Sequence, residues 1–304
     1  MKRNLILSMI IFGTIGLFRR YTPIPSSMLA MFRGYIGMMF LVCFVFLRGG
    51  RLNWKDIRKN ILLLVISGAF IGVNWILLFE AYQYTSVATA TLCYYMAPVL
   101  VIVASPVFLK EKLTGKKMCC VLVSLIGMVL ISGILNSNTA GQTAQSGQNL
   151  KGIVLGLGAA AFYASVILLN QKIQGISAYD KTIVQLAVAA VTVTPYVFLT
   201  ENLSEITFTP MIVMMILVIG IIHTGISYAM YFGSMSHLKA QTIALFSYLD
   251  PVVAVMLSAI VLREKMGIVE LAGAVLVLGA TLVSELNPEN VSSKIKHKEE
   301  TNFN

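Results

Sequence analysis

A carboxylate and a proline stand side by side at the start of a long apolar run. Residues 247–265 read SYLDPVVAVMLSAIVLREK, with Asp250 and Pro251 ahead of the apolar residues. In the middle of a transmembrane helix a charged side chain costs about 2.5–3.5 kcal/mol, and such residues usually face a cavity or a partner. Asp250 is therefore a candidate to bind an amine, carry a proton or pair with a cation. A structural, protonated carboxylate is the alternative.

Two further ionisable side chains lie inside apolar runs. His223 sits at a depth similar to that of Asp250, so the two predict a relay that passes a proton. A neutral imidazole bonded to a backbone carbonyl is the structural alternative for His223. Arg33 would extend its head group to the surface, bind an anionic group or pair with an acid.

Uncharged polar side chains extend the set of candidates for a binding site. The polar residues near the middle of apolar runs include Asn74, Tyr95, Tyr163, Ser247 and Tyr248. They would line a solute pathway, although hydrogen bonds between helices account for such residues almost as well. Glu80 would guard an outer gate with Arg33, or it is a hydrated interfacial residue with Trp75 as a membrane anchor.

The apolar run is written twice in the chain. Residues 94–112 read YYMAPVLVIVASPVFLKEK and match residues 247–265 at a shift of 153 positions. The shift pairs Tyr95 with Tyr248, Pro98 with Pro251, Ser105 with Ser258 and Glu111 with Glu264. Each copy ends in a charged collar, which is most simply a solvated helix end. The sharper hypothesis is that Glu111 and Glu264 form symmetry-related salt bridges, each closing a gate.

Both copies carry a proline near the middle of the run. Because proline has no N–H, Pro98 should free the carbonyl of Tyr94. Pro251 should free the carbonyl of Ser247 in the same way. An unpaired carbonyl is costly in lipid and must face protein, water or a ligand. Interrupted helices at this depth are typical of transporter sites, and kinks filled by neighbouring helices are the alternative.

The composition is that of an integral membrane protein. Hydrophobic residues make up 57% of the 304 positions and charged residues only 12%, against about 25% in soluble domains. The four cysteines show no metal spacing, and we expect no metal and no other cofactor. The net charge of +10 reflects basic loops at the ends of apolar runs, so nucleic acid is not an expected partner.

Ten apolar runs are long enough to cross a bilayer, for which a helix needs about 20 residues. The predicted spans are 4–22, 27–47, 60–81, 86–109, 118–135, 151–171, 181–199, 210–232, 240–262 and 267–286. A polar linker over 136–150 separates a first repeat, 1–135, from a second repeat, 151–286, and a disordered polar tail covers 287–304. The predicted fold class is an all-α integral membrane protein with ten transmembrane helices.

The distribution of lysine and arginine predicts the orientation of the chain. With a cytoplasmic N-terminus, seventeen basic residues fall on the cytoplasmic side and five on the outer side. We therefore expect both termini in the cytoplasm and the chain in the cytoplasmic (inner) membrane. The copies at 94–112 and 247–265 lie five spans apart, so they cross in opposite directions and define a 5+5 inverted-topology repeat.

An inverted repeat favours a secondary transporter with alternating access to a site near the midplane. The expected partners are the lipid bilayer and a small polar solute, with protons as well if Asp250 and His223 titrate. A gradient-driven facilitator or channel without proton coupling is the alternative. An intramembrane enzyme is a weaker alternative, because neither HExxH nor GxSxG occurs. No GxxxxGK[ST] loop occurs either, so we expect no use of ATP.

Three stretches resemble the drug/metabolite transporter superfamily, EamA type, with two EamA domains. They are FGTIGLFRRYTPIPSSMLAMFRGYIG (12–37), AYQYTSVATATLCYYMAPVLVIVASPVFLKEKLT (81–114) and HTGISYAMYFGSMSHLKAQTIALFSYLDPVVAVMLSAIVLREK (223–265). The resemblance implies a ten-helix inverted-repeat fold. It also implies movement of small polar metabolites, often amino acids or related compounds and often out of the cell.

The asymmetry between the two copies predicts where a mutation should hurt most. Ala97 stands in the first copy where Asp250 stands in the second, so only the second copy carries an ionisable side chain beside its proline. Asp250→Asn should reduce transport more than any Ser or Thr substitution in span 86–109, because it alone removes the midplane charge. Solute efflux from vesicles is the measurement, and transport at the unmodified rate in Asp250→Asn would refute the prediction.

Overall fold

The computed structural model is all-helical over the residues that it describes, namely 1–85, 87–131, 146–202, 207–261 and 267–285. Within these ranges, the side chains of 19–20, 87–88, 131, 146–149, 255, 258–259, 270 and 285 are not described. Glu264, the predicted tail 287–304, residues 136–145 of the predicted linker and the side chain of Ser258 therefore lie outside the described residues.

Thirteen α-helices and one π-helical segment make up the described part of the chain. In order they are α1 (Lys2–Arg20), α2 (Ser26–Leu47), α3 (Trp54–Tyr84), α4 (Val87–Tyr94), α5 (Ala97–Leu109), α6 (Gly115–Ile131), α7 (Ser146–Lys172), α8 (Ala178–Thr200), α9 (Pro210–Val218), the π-helical segment (Ile219–Ile226), α10 (Ser227–Met235), α11 (Ala240–Phe246), α12 (Leu249–Val261) and α13 (Ile268–Glu285). Helix α7 begins inside the predicted linker.

Six helical stretches among the described residues are long and apolar enough to cross a membrane. They are Ser26–Leu47, Trp54–Tyr84, Thr89–Leu109, Leu150–Lys172, Ala178–Thr200 and Pro210–Met235. The fourth predicted span holds α4 and α5, and the eighth holds α9, the π-helical segment and α10. The chain is therefore an integral membrane protein that crosses the bilayer several times.

Short polar side chains fix where several helices begin. Asn53, Ser177 and Thr209 each precede a helix and accept a hydrogen bond from a backbone N–H in its first turn. Such N-caps satisfy amide groups that have no partner within the helix. The start of α3, α8 and α9 is thus encoded locally, in one residue ahead of each apolar run.

The two prolines of the repeated run interrupt their helices. Helix α4 ends at Tyr94 and α5 begins at Ala97, which puts Pro98 in the first turn of α5. Helix α11 likewise ends before Ser247, and Pro251 lies in the first turn of α12. Proline suits a first turn because no N–H is needed there. The interruptions expected from the sequence are therefore present in both copies.

The two interruptions touch each other. The hydroxyl of Tyr248 donates a hydrogen bond of 3.1 Å to the backbone carbonyl of Tyr95, and the centres of the two rings are 6.5 Å apart. The sequence predicted a freed carbonyl at Tyr94. The carbonyl that is bonded between the two interruptions belongs to the next residue, Tyr95. The reason is that a tighter turn, with Met96 N bonded to the Cys93 carbonyl, closes α4 before the proline.

The remaining helices pack around this crossing. Helix α3 packs against α7 and α8, α2 against α8 and the π-helical segment, and α6 against α13. Helix α1 packs against α10 and α12. A side-chain hydrogen bond joins α3 to α7: Nδ2 of Asn74 donates a bond of 2.6 Å to the carbonyl of Ala159. In α8, Gln185 donates to Ser67 and to Asn170, so three helices share one buried polar cluster.

The π-helical segment widens the helix between α9 and α10. Within it, the hydroxyl of Thr224 bonds the carbonyl of Ile219 at 3.0 Å. The hydroxyl of Ser227 bonds the carbonyl of Ile222 at 2.9 Å, also five residues earlier. Short π-helical turns inside α-helices frequently occur at functional sites. His223 lies on this segment and is buried.

Tyr248→Phe should destabilise the protein by about 1 kcal/mol, because it removes one hydroxyl and leaves the Tyr95 carbonyl without this partner. Thermal unfolding of the purified protein in detergent measures the effect as a lower Tm. Tyr179→Phe is the matched control, since Tyr179 is 39% exposed and the change deletes the same group. Equal Tm values for the two variants would show that the bond contributes nothing to stability.

Candidate functional site

A cavity of about 360 Å³ lies beside the helix interruptions. Its walls come from α1, α2, α3, α7 and α10, together with Tyr94 and Asp250 from the interrupted helices. The aromatic lining residues are Phe12, Trp75, Phe79, Tyr82, Tyr94, Tyr163, Tyr228, Tyr231 and Phe232. The lining comes from the second half of α1, the first half of α2 and the second half of α3. The cavity therefore lies toward the end of the molecule that carries the α1–α2 link.

Asp250 is the acidic side chain in the described lining of this cavity. It lies in the first turn of α12, where the helix dipole favours a carboxylate. Its Oδ1 atom is buried and has no hydrogen-bond partner. Gly13 of α1 packs so closely that a Cβ there would come within 2.6 Å of the Asp250 carbonyl. The backbone of Asp250 is thus held tightly, while one carboxylate oxygen is left for a further partner.

Arg33 supplies the positive charge of the same cavity. Its guanidinium carbon lies 4.2 Å from the centre of the Trp75 ring, in a cation–π contact. Its Nε is buried without a partner. Trp75 is only 5% exposed, so the interpretation of this residue as a membrane-interface anchor is wrong. The sequence could not show this, because the face of α3 that carries Trp75 is set by its packing.

Tyrosine hydroxyls form the polar part of the remaining wall. The hydroxyls of Tyr163 and Tyr231 are hydrogen-bonded at 2.5 Å, and the Tyr163 ring stacks on Tyr94 with centres 5.4 Å apart. Ser247 bonds the carbonyl of Ile243 within its own helix turn. Asn74 also lines the cavity, with its amide nitrogen held by the Ala159 carbonyl. Of these groups, the two phenols and Asn74 line the cavity and offer fixed hydrogen-bonding positions there.

His223 lies outside the cavity. Its Nε2 is 2.7 Å from the hydroxyl of Thr14, and its ring meets the edge of Phe18, both in α1. Gly13, the neighbour of Thr14, packs on the backbone of Asp250, so His223 and Asp250 contact different residues of α1. The direct Asp250–His223 relay expected from the sequence is therefore not formed in this structure. The Nδ1 of His223 has no partner.

Carboxylates tie helices together at the cavity end of the molecule. Glu80 accepts a 2.5 Å hydrogen bond from the Tyr196 hydroxyl, which joins α3 to α8. Glu201 accepts a hydrogen bond from the Ser27 hydroxyl, which joins the end of α8 to the start of α2. The predicted gate pair of Glu80 with Arg33 is therefore wrong, since each contacts a different group. Equal depth in two spans does not ensure that two side chains face each other.

A different set of bonds joins α5 to α11 at the opposite end. Glu111 accepts a 2.9 Å hydrogen bond from the backbone N–H of Ala240, at the start of α11. Gln241 donates 2.7 Å to the hydroxyl of Ser105. The hypothesis of a salt bridge at Glu111 is thus corrected, because its partner is a helix start, where a carboxylate is also stabilised. The corresponding hypothesis for Glu264 lies outside the described residues.

The structure brings together only part of the predicted set. Asp250, Arg33, Asn74 and Tyr163 line the cavity. The predicted residues outside its lining are His223, Tyr95, Tyr248, Ser247, Pro98, Pro251, Glu80 and Glu111. Sequence reasoning missed the tyrosines that share the wall with Tyr163, chiefly Tyr94, Tyr228 and Tyr231. The available signal was their phenol groups, which need a hydrogen-bond partner in mid-membrane and hence a polar cavity or a neighbour.

The arrangement can bind a solute but carries no evident set of groups for covalent chemistry. One carboxylate and one guanidinium provide opposite charges, and the tyrosines and Asn74 provide hydrogen bonds. The aromatic rings provide flat apolar surface and attract cations. Such a small number of polar groups in an aromatic pocket is typical of sites that orient a small ligand.

The family comparison gives a match over most of the chain. The model of the "EamA-like transporter family" matches residues 4–133 and 150–285. A Bacillus subtilis protein described as "Uncharacterized transporter YxxF" is 31% identical over 96% of this chain and 92% of its own length. An Archaeoglobus fulgidus "Uncharacterized transporter" is 25% identical over 78% of this chain and 81% of its own.

Two further comparisons widen the picture. Mouse "Solute carrier family 35 member G1" is 27% identical, over 55% of this chain and 46% of its own length. A solved crystal structure, whose description names no function, has a TM-score of 0.80 at 17% identity. It covers 93% of this chain and 96% of its own. At that identity the likeness shows a shared fold alone.

The two tryptophans provide a check on the cavity wall. With Trp54→Phe, only buried Trp75 remains, and with Trp75→Phe only Trp54, which is 64% exposed. Emission of the first variant should be quenched several-fold less by acrylamide than that of the second, because Trp75 is covered by Arg33 and protein. Stern–Volmer plots in detergent give the comparison. Equal quenching of both tryptophans would contradict the buried position of Trp75.

Proposed function

The chain belongs to the EamA-like transporter family of the drug/metabolite transporter superfamily, and from that premise we propose a specific mode of transport. The protein is a membrane transporter, not an enzyme. We propose that it is a secondary transporter that moves a small polar metabolite across the cytoplasmic membrane by alternating access. The solute is an amino acid or a related compound, and the physiological direction is export.

Paired helix contacts support a 5+5 inverted repeat. Helix α7 packs against α3, α4 and α5, and α1, its counterpart, packs against the π-helical segment, α10, α11 and α12. The counterparts α2 and α8 pack on each other, as do α6 and α13, and α5 and α11. A two-fold relation between halves produces this pattern, in which equivalent elements meet at the axis. The two family matches, 4–133 and 150–285, divide the chain in the same way.

One observation carries the choice of solute: an acidic and a basic side chain line one cavity, and each keeps a buried polar atom without a partner. Asp250 and Arg33 both line the cavity, and each has a buried polar atom without a hydrogen-bond partner. Buried charges are costly unless paired. A solute with a cationic and an anionic group would pair with both residues at once. An amino acid has that charge pattern, and its side chain would contact the aromatic wall.

The size and position of the cavity agree with a small solute at the interrupted helices. Its volume, about 360 Å³, is near the lower limit of roughly 300 Å³ for small-molecule pockets. Below it, the bonds of Glu111 and Gln241 hold α5 against α11. On this proposal these bonds belong to a state in which the site is closed toward the end that carries Met1. They must open when the solute reaches the cavity from that side.

Orientation and coupling complete the proposal. The excess of basic residues on the side of Met1 favours a cytoplasmic N-terminus and C-terminus. Export then means loading from the Met1 side and release through the cavity end. Asp250 is the candidate to carry a proton in exchange for the solute. His223 contacts the same helix, α1, at Thr14 and would influence coupling through movement of that helix.

A charge-matched set of solutes tests the site. Phenylalanine carries both charges, phenethylamine only the ammonium and 3-phenylpropionate only the carboxylate. Asp250→Asn should weaken phenylalanine binding roughly tenfold, the effect of losing ~1.4 kcal/mol of charge pairing, and leave 3-phenylpropionate unaffected. Arg33→Gln should weaken phenylalanine similarly and leave phenethylamine unaffected. Isothermal titration of the purified protein measures each affinity.

Controls separate charge pairing from a general loss of charge. Asp56→Asn and Arg48→Gln make the same changes outside the cavity and should not alter any of the three affinities. If both cavity variants weaken the binding of all three probes equally, the proposal of a solute with one cationic and one anionic group is wrong. If none of the three probes binds the unmodified protein, this solute class is excluded. Membership of the transporter family would not be affected.

Proteoliposome efflux tests coupling and distinguishes the alternatives. Vesicles are preloaded with a mixture of amino acids and related metabolites and assayed with and without a pH gradient. Efflux of one solute that accelerates with the gradient supports proton exchange, and Asp250→Asn should remove the acceleration. Efflux that ignores the gradient favours the alternative, a facilitator or channel without proton coupling.

A further inference from the structure

A second and larger cavity lies on the other face of α10. Its volume is about 960 Å³, and its lining comes from the start of α1, the end of α2, the α7–α8 link and α10. This cavity is lined by Ala229, Met230 and Gly233 of α10. The cavity of about 360 Å³ described above is lined by Tyr231 and Phe232 of the same helix. The second cavity is therefore separate from the proposed solute site. We refer to it as the α2–α10 groove.

The α2–α10 groove is apolar along one side and polar at one end. Phe40, Phe44, Ile226 and Met230 form the apolar side. Ile226 is 38% exposed, so the groove is accessible from the apolar surface of the molecule. The polar end carries hydroxyl, amide and imidazole groups from Gln174, Ser177, Ser236 and His237. This division into apolar side and polar end fits an amphiphile.

A buried lysine stands directly behind the polar end. Lys181 is fully buried, and its Nζ donates a 2.9 Å hydrogen bond to the hydroxyl of Ser236. Among the described residues, no carboxylate pairs with this ammonium group. The neighbouring Asp180 instead accepts a long bond, 3.5 Å, from the backbone N–H of Asn53. An ammonium buried behind a hydroxyl therefore biases the polar end of the groove toward an anion.

We propose that the α2–α10 groove binds an anionic phospholipid of the surrounding leaflet. One acyl chain lies along Phe40, Phe44 and Met230. The phosphate accepts a hydrogen bond from the hydroxyl of Ser236, which itself accepts one from the buried ammonium of Lys181. A soluble anion would leave the apolar side uncovered, so the bilayer is the source that fits both ends. The end that carries Met1 is also the one with the excess of basic residues, which attract anionic lipid.

Quenching by brominated lipids tests this site directly. Phe44→Trp introduces a tryptophan in the groove, and Trp54→Phe removes the exposed native one. The Trp54→Phe protein without Phe44→Trp gives the background from Trp75. In vesicles, brominated phosphatidylglycerol should bind beside the introduced tryptophan roughly fivefold more strongly than brominated phosphatidylcholine, the effect of one lysine near an anionic headgroup.

Lys181→Gln should bring the two lipids close to parity. Lys172→Gln is the matched control, because Lys172 is exposed at the same end and does not line the groove. Its removal should preserve most of the preference for the anionic lipid. Ser236→Ala should reduce the preference for the anionic lipid by a smaller factor. Because Ser236 is exposed, this variant should fold, and it replaces Lys181→Gln in the test if the lysine variant does not fold.

Three results would overturn the proposal. Equal quenching by both lipids would mean ordinary contact with the bilayer. No quenching by either would mean that lipid does not enter the groove. An equal loss of preference in Lys172→Gln and Lys181→Gln would attribute the effect to the overall charge of that end. None of these measurements involves the transported solute, so their outcome neither supports nor contradicts the proposed function.

Discussion

The hydrogen bond from the Tyr248 hydroxyl to the Tyr95 carbonyl joins the two interruptions around which the helices are arranged. In lipid, a helix can be broken only where its freed backbone groups find other partners. Here the break in one copy is satisfied by a side chain at the break in the other. The crossing of α5 with α11 fixes where Tyr94 and Asp250 lie. These two residues line the cavity of about 360 Å³ together with side chains from α1, α2, α3, α7 and α10.

The acidic and the basic side chain of this cavity each have a partial stabilising contact. Arg33 lies over the face of Trp75, and Asp250 occupies the first turn of α12. Both arrangements reduce the cost of a buried charge without neutralising it. The hydroxyls of Tyr163 and Tyr231 bond each other, and one hydroxyl hydrogen of the pair remains for another acceptor. A solute with both charges, as proposed, would complete the pairing of the two side chains.

Much of the fold could be predicted from the sequence because it depends on local rules. Apolar length and proline chemistry act within one helix, and they predicted an all-helical membrane protein and the interruptions at Pro98 and Pro251. The partners of individual side chains depend on how helices rotate against each other, which no single helix encodes. Neighbours in a helix point about 100° apart. Tyr94 therefore lines the cavity, whereas Tyr95 contributes its carbonyl to the crossing.

The same limit explains the wrong pairs in the predicted site. His223 and Asp250 contact neighbouring residues of α1, but the imidazole is bonded to Thr14 and not to Asp250. Glu80 and Glu111 were correctly placed at helix ends, and their partners proved to be a phenol and a backbone amide. Depth follows from counting residues, whereas direction follows from packing. The repeat located the region of the site, and the structure was needed to select Arg33 and Asp250 as residues of one cavity.

The π-helical segment makes the two halves of the chain unequal. Helix α3 runs without a break from Trp54 to Tyr84, whereas its counterpart contains the wider turn at Ile219–Ile226. A π-turn holds one extra residue, so the side chains beyond it are rotated by about 100° relative to a regular helix. Two halves with different walls cannot exchange shapes at equal free energy. In the proposed alternating-access cycle, this inequality would make one state the resting state, with part of the bias toward it in the backbone of this segment.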